Sequence, residues 1–230
     1  MLQTVHALII EKRLEGPDPV DDIAREELMA WLETARIEGV ELVVVSLPDA
    51  LELYAIAAER TRAFRIVLRS LRERLQTLRE YREWRTAELI GGAAVHRLLS
   101  RAAGVLSSKG RFDAAAVIYS AATLSSEVGT LGSRLAPLFW AAANVRHRVG
   151  CETTFDPRDA GESAQVERMA AERIVEEEFA SFRSRQAELG LVKTRSSRPP
   201  GFNSRSFELH ERASLLRVRF TRRPRPARLA

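Results

Sequence analysis

Four histidines, one cysteine and a few acid pairs are the side chains of this 230-residue chain from which a catalytic or metal centre could be built. His6, His96, His147 and His210 are scattered, with no ligand or nucleophile pattern around them. His147 and Cys151 stand four residues apart and would share one face of a continuous helix, but Gly150 predicts a helix end between them. Two ligands fall short of the four of a structural zinc site, so a buried thiol and a capping imidazole are expected instead. Gly91-Gly92 precedes a helical stretch and could offer amides to an anion; lacking the lysine and the Ser or Thr of a phosphate loop, it reads as a helix break. Asp21-Asp22 and Glu26-Glu27 read as the solvated first turn of an amphipathic helix. No Gly-x-Ser-x-Gly occurs, and no recognisable pattern supplies Cys151 with a base. The expectation is a chain with no catalytic residue, no cofactor and no metal.

Arginine is the residue that recurs with a pattern. Arg62, Arg65, Arg69, Arg72 and Arg79 fall on one face of a predicted helix, interrupted by Gln76 at the expected spacing. Guanidinium offers a planar fork of donors that suits phosphates or an acidic partner. The preferred reading is an internal flank, salt-bridged to acids such as Glu172, Glu176, Glu177 and Glu178 on a second long predicted helix.

The second basic feature is the C-terminal segment. Lys193 to Ala230 holds eleven bases against two acids and carries +9, whereas residues 1–192, with 25 bases and 29 acids, carry −4. Pro199, Pro200, Gly201, Pro224 and Pro226 break it up, so an extended arm is expected. From Leu216 the order Leu-Arg-Val-Arg-Phe alternates strictly, which as a strand is apolar on one side and basic on the other. Arg217, Val218, Arg219, Phe220, Arg222, Arg223, Arg225 and Arg228 are therefore the expected contacts of this arm with a partner, through added strand pairing for the first four and charge for the rest.

Several elements must position these residues. Val5 to Ile10 is read within a first helix ended by Gly16-Pro17-Asp18-Pro19, and a second helix runs from Asp21-Asp22 to Gly39. Val40 to Ser46 is short and β-branched and could be a lone strand or a buried helix, with no partner strand evident. Ser46-Leu-Pro-Asp49 resembles a helix start, and no Gly or Pro follows until Gly91. That predicts one helix over about 48–90, roughly 60 Å long at 1.5 Å per residue, with an apolar seam of Thr61, Phe64, Leu68, Leu71, Leu75 and Leu78. A further helix is predicted over 161–189, with Val166, Met169, Ile174 and Phe182 on its apolar stripe.

Between the two long helices, residues 97–127 read as a helical hairpin. Leu99, Ala102, Ala103, Leu106, Gly110, Ala115 and Tyr119 are spaced so that the segment resembles a single tetratricopeptide repeat, with small residues at the helix crossing and Tyr119 filling the groove. Glu127 stands where that family's terminal proline is expected, and no second copy lies 34 residues away. The resemblance implies a protein-binding role rather than catalysis.

The expected fold is mainly α: an antiparallel helical bundle or helical-hairpin array over residues 1–190, followed by the basic arm over 191–230. A lone cysteine forbids an intramolecular disulfide and suits a reducing, intracellular compartment, the cytoplasm first and an organelle interior second. The N-terminus lacks the basic start and cleavage site of a secretory signal. Apolar runs such as Ala7 to Ile10 are far below the roughly 20 residues that span a bilayer, although peripheral contact with a membrane surface stays open. The function expected is that of a non-enzymatic structural or adaptor subunit of a larger protein assembly. The alternative is an RNA-binding or other nucleic-acid-binding protein using the Arg stripe and the arm.

Overall fold

The computed structural model describes residues 5–11, 23–77, 85–106, 114–153 and 162–188. In chain order the elements are β1 (Val5–Glu11), α1 (Arg25–Ile37), β2 (Leu42–Ser46), β3 (Ala50–Ile56), α2 (Arg60–Thr77), β4 (Arg85–Ile90), α3 (Gly92–Ala102), α4 (Ala114–Val128), α5 (Ala136–Glu152) and α6 (Glu162–Glu188). The strands form one antiparallel sheet in the order β2-β3-β1-β4. The first six elements thus have the connectivity βαββαβ with two interleaved βαβ units, the split arrangement of ferredoxin-like folds.

This architecture overturns the mainly α bundle. The expected first helix is β1, which pairs with β3 and β4 on its two sides (Leu8 opposite Leu53 and Glu88). A strand buried on both faces reads as a continuous apolar run, which periodicity cannot separate from a buried helix. The expected helix over 48–90 is three elements. Ser46-Leu-Pro-Asp49 closes a β2–β3 hairpin, with the Leu47 amide donating to the Ala50 carbonyl (2.8 Å), and α2 is an 18-residue helix rather than a 60 Å strut. Ala50–Ile56 contains Ala, Leu and Glu, good helix formers, yet β1 and β2 claim its backbone and all seven residues are buried.

Two helical layers cover the sheet. Even-numbered residues of β1 and β2 and odd-numbered residues of β3 (Ile10, Val44, Leu53) face α1 and α2, against Trp31, Phe64 and Leu71. The other parity (Ile9, Val45, Tyr54) faces α3 to α6, where Leu98, Phe139 and Ile174 complete the core. Tyr54 and Phe139 meet edge to face at 5.8 Å.

The repeat-like hairpin is also corrected. Helices α3 and α4 exist, but α3 begins at Gly92, and the pair belongs to a four-helix layer resting on a sheet rather than to a repeat array. Tyr119, expected to fill the groove, is 69% exposed. Of the apolar stripe on α6, Ile174 and Phe182 are buried, whereas Val166 and Met169 are exposed. Among the described residues, no helix is long and apolar enough to cross a membrane.

Candidate functional site

Helix α2 lies in the outer layer opposite α6, so the expected ion pairing between them does not form. Its core-facing side carries Ala63, Phe64, Val67 and Leu71. The residues between these point outward, which is why Arg62, Arg65 and Arg69 are exposed, together with Arg60 in the first turn. Arg62 donates to the Glu38 carbonyl at 3.3 Å, Arg65 lies 3.8 Å from the Glu38 carboxylate, and Arg69 pairs with Glu73 one turn on. Such exposed pairs contribute about 0–1 kcal/mol each. The acids of α6 are engaged elsewhere: Glu172 by Arg168, Glu176 by His96, Glu177 by Arg148, and Glu178 by Asn144 and Arg185. Among the described residues nothing covers Arg62, Arg65 and Arg69, which are exposed. Arg72 belongs to the same helix, while Arg79 and every expected contact from Arg217 to Arg228 lie outside the described residues.

The densest charge cluster was not anticipated. Glu52, on the β3 face toward α3, is fully buried. It accepts hydrogen bonds from the Tyr54 hydroxyl (2.7 Å), Arg97 Nε (2.9 Å) and Arg101 Nε (3.2 Å). Arg97 and Arg101 are one turn apart on α3, so both reach the same carboxylate. Arg101 also binds Asp49 at 2.8 Å and donates to the Leu106 carbonyl at 2.7 Å, tying the β2–β3 hairpin and the end of α3 to one guanidinium. Two acids and two bases balance. Burial, reinforced by the adjacent Glu52 carboxylate, pushes the Tyr54 phenol well above its ordinary 10.0. Burial opposes the charge on Arg97, but Glu52 and Tyr54 outweigh it and raise its pKa. The sequence signal was a glutamate inside an apolar strand, but its partners lie 45 and 49 residues downstream.

A second cluster joins the α4–α5 hairpin to the sheet. Glu41, just before β2, accepts from Arg134 Nε (2.6 Å) and the Leu135 amide (2.9 Å), and Arg134 bridges on to Glu59 (2.5 Å). Glu59 in turn accepts from the Glu41 amide (2.8 Å), and the Thr130 carbonyl accepts from the Leu42 amide (3.1 Å). Hydrogen bonding to Glu41 is the main cause that raises the Arg134 pKa, and Glu59 adds to it. The Glu41 carboxyl lies against Gly132, where a Cβ would sit 2.5 Å from it.

Three smaller groupings bear on chemistry. His96 sits between Ser100 (Nδ1 to Oγ, 3.3 Å) and Glu176 (Nε2 to Oε1, 2.9 Å), a hydroxyl–imidazole–carboxylate chain. Ser100, in α3, is only 3% exposed. Contrary to the expected helix end at Gly150, α5 continues to Glu152, so His147 and Cys151 share a face and approach to 3.9 Å. Cys151 is exposed rather than buried. His6, buried in β1, lies 3.0 Å from Glu88 of β4, which also pairs with Arg60 at 3.2 Å. No group of three or more His, Cys, Asp or Glu able to hold a metal ion occurs among the described residues.

No family model matches this chain, and no curated protein matches it. Among solved structures it is similar to a glutamyl-tRNA reductase from Methanopyrus kandleri, with 24% identity and a TM-score of 0.45 over 66% of this chain. The match spans 35% of that enzyme's length.

Proposed function

We propose that this protein is a non-enzymatic subunit of a larger assembly, and that it grips an acidic neighbouring protein through the outward arginines of α2, assisted by its basic C-terminal arm. The observation that supports this reading is the exposure of Arg62, Arg65 and Arg69 along one face of α2, with side-chain exposures of 65% at Arg65 and 78% at Arg69. The buried ions, by contrast, are matched to one another and seal the sheet–helix interfaces. Next to this face Ile37, 77% exposed, flanks the Glu38 that touches Arg62 and Arg65. An apolar residue amid arginines suits a protein surface better than a phosphate backbone. Both broad faces of the sheet are covered, so neither can serve as a base-stacking platform.

Gentle native purification with and without nuclease tests the proposal. A stoichiometric acidic protein should co-purify in both cases and be lost from the R62E/R65E/R69E variant. Elution alone as a compact monomer refutes the subunit reading. Nuclease-sensitive material, with binding that falls steeply between 50 and 200 mM salt, favours the nucleic-acid alternative.

A further inference from the structure

The two edges of the sheet differ. On the β2 side, the Leu42 amide is taken by the Thr130 carbonyl, and α4 packs over the strand. On the β4 side, no described strand pairs with the outer edge. The Gly91 amide donates to the Val5 carbonyl at 2.7 Å and fixes the alternation: residues 85, 87 and 89 turn their backbone groups toward β1. Thr86, Glu88 and Ile90 therefore turn theirs outward. Edges of this kind are usually blunted by proline, a bulge or a covering segment; β4 contains no proline, runs in unbroken register with β1, and leaves Ile90 57% exposed.

We propose that the β4 edge is the docking site of this chain's own segment Leu215 to Phe220, added antiparallel as a fifth strand. Direction follows from the path of α6. His96 meets Glu176 and the Val105 carbonyl meets Arg168, so α6 runs antiparallel to α3. Phe179 lies against Gly92, and the helix continues to Glu188 past the start of α3. The chain thus leaves α6 near the C-terminal end of β4. The 26 residues from Leu189 to Ser214 reach up to about 90 Å when extended, ample to enter the edge at Ile90 and run toward Arg85.

One register satisfies both faces. Arg217 opposite Glu88 makes an oppositely charged cross-strand pair. The same alignment sets Leu215 against the exposed Ile90, Leu216 against Leu89 and Val218 against Ala87, continuing the core under α3. Shifting by one residue places Val218 or Leu216 opposite Glu88 and the arginines on that core face. A second copy fits less well. Outward-turned residues must pair with outward-turned residues, so the antiparallel register of two β4 strands with the most hydrogen-bonded pairs sets Glu88 directly opposite Glu88.

Full-length protein with Cys151→Ser carries the test. Ala87→Cys with Val218→Cys creates a pair without mutual hydrogen bonds, about 4.5 Å apart at Cα, within disulfide range. Oxidation should give an intramolecular disulfide in monomers, at least tenfold faster than the face-reversed control Ala87→Cys with Arg219→Cys. A disulfide only between chains, none at all, or equal rates in pair and control overturns the proposal. Independently, hydrogen exchange at the Thr86, Glu88 and Ile90 amides should be at least tenfold slower in the unsubstituted chain than in full-length Arg217→Pro, which removes the central N–H that the added strand donates to β4. Equal exchange also overturns it.

Discussion

Replacing Glu52 by glutamine measures what the buried cluster contributes. The change keeps volume and shape but removes the charge that Arg97 and Arg101 face at 2.9 and 3.2 Å. Arg101 retains Asp49 and the Leu106 carbonyl, so its guanidinium stays compensated. Arg97, only 20% exposed, loses its buried counter-ion. Removing one partner of a buried pair costs about 3–5 kcal/mol, because the remaining charge is left unmatched. The glutamine oxygen still accepts one guanidinium hydrogen bond and Arg97 keeps some water contact, which places the expected loss near the lower bound, about 3 kcal/mol. At 230 residues this lowers the melting temperature by about 6–12 °C. Urea denaturation followed by circular dichroism reads the free energy directly. The double variant E52L/R97L, apolar on both sides, should recover part of the loss, since removing both charges leaves less unmatched. A loss below about 1 kcal/mol for E52Q would show that solvent reaches this carboxylate, and the account of the cluster would fail.

The Tyr54 phenol provides a test at high pH. Its folded pKa is raised above the ordinary 10.0, so the native state holds the proton more tightly than the unfolded chain. Its contribution is fully present below pH 10 and is lost as pH rises from there toward the folded value. Stability of the wild type should fall with a component of about 1.4 kcal/mol per pH unit above pH 10 that is missing in Tyr54→Phe, measured by urea titration between pH 9 and 11. Gly132→Ala should cost about 1–3 kcal/mol, because Arg134 and the Leu135 amide hold the Glu41 carboxyl where the new methyl would go. Its loss should be non-additive with that of Glu41→Ala in a denaturation cycle. Reversing Arg65 and Arg69 to glutamate together should change stability by less than about 1 kcal/mol, since α2 does not pack against the acids of α6 and both side chains are exposed.

What the sequence disclosed follows from how local each signal is. Helices α1 and α6 emerged close to their ends because an apolar stripe and solvated acids are written within one segment. The β-branched run of β2 left strand and buried helix both open until its pairing with β3 decided for strand, and β1 and β3 gave no strand signal. Val5 to Ile10 is apolar on both faces, and Ala50–Ile56 is built of residues that favour helix; only pairing across the sheet decides for strand. Pro48 and Asp49 serve a helix start and a hairpin turn equally well, and that ambiguity merged β3, α2 and β4 into one helix. Gly91 was recognised as a break, and its φ of +58° at the β4–α3 junction shows why glycine is used there. The arginine stripe was visible as a pattern, but its exposure depends on which side of the sheet receives α6. Glu52 could be noticed as an oddity; its meaning required α3 to be laid across β3.

The two arginine sets show how one residue type serves opposite ends. Arg97 and Arg101 face a sheet strand that supplies Glu52, and Asp49 at the adjoining turn completes a neutral cluster. A one-turn shift of α3 along the sheet would strand two guanidinium groups in the core, so the cluster penalises alternative packings more than it adds net stability. Arg62, Arg65 and Arg69 face away from the sheet on α2, where among the described residues their acid partners are a single helix-end glutamate and an i+4 neighbour. Among the described residues two acids face three arginines, and solvent weakens each pair. A body that balances its buried charges while leaving arginines outward has its unmatched positive charge at the surface. If the Leu215 to Phe220 segment lies along β4, it adds Arg217 and Arg219 on the same side of the sheet as Glu88. The arm and the α2 face would then present one continuous basic surface to the neighbour, and the disulfide pair would abolish partner binding only if that surface required the arm to be free.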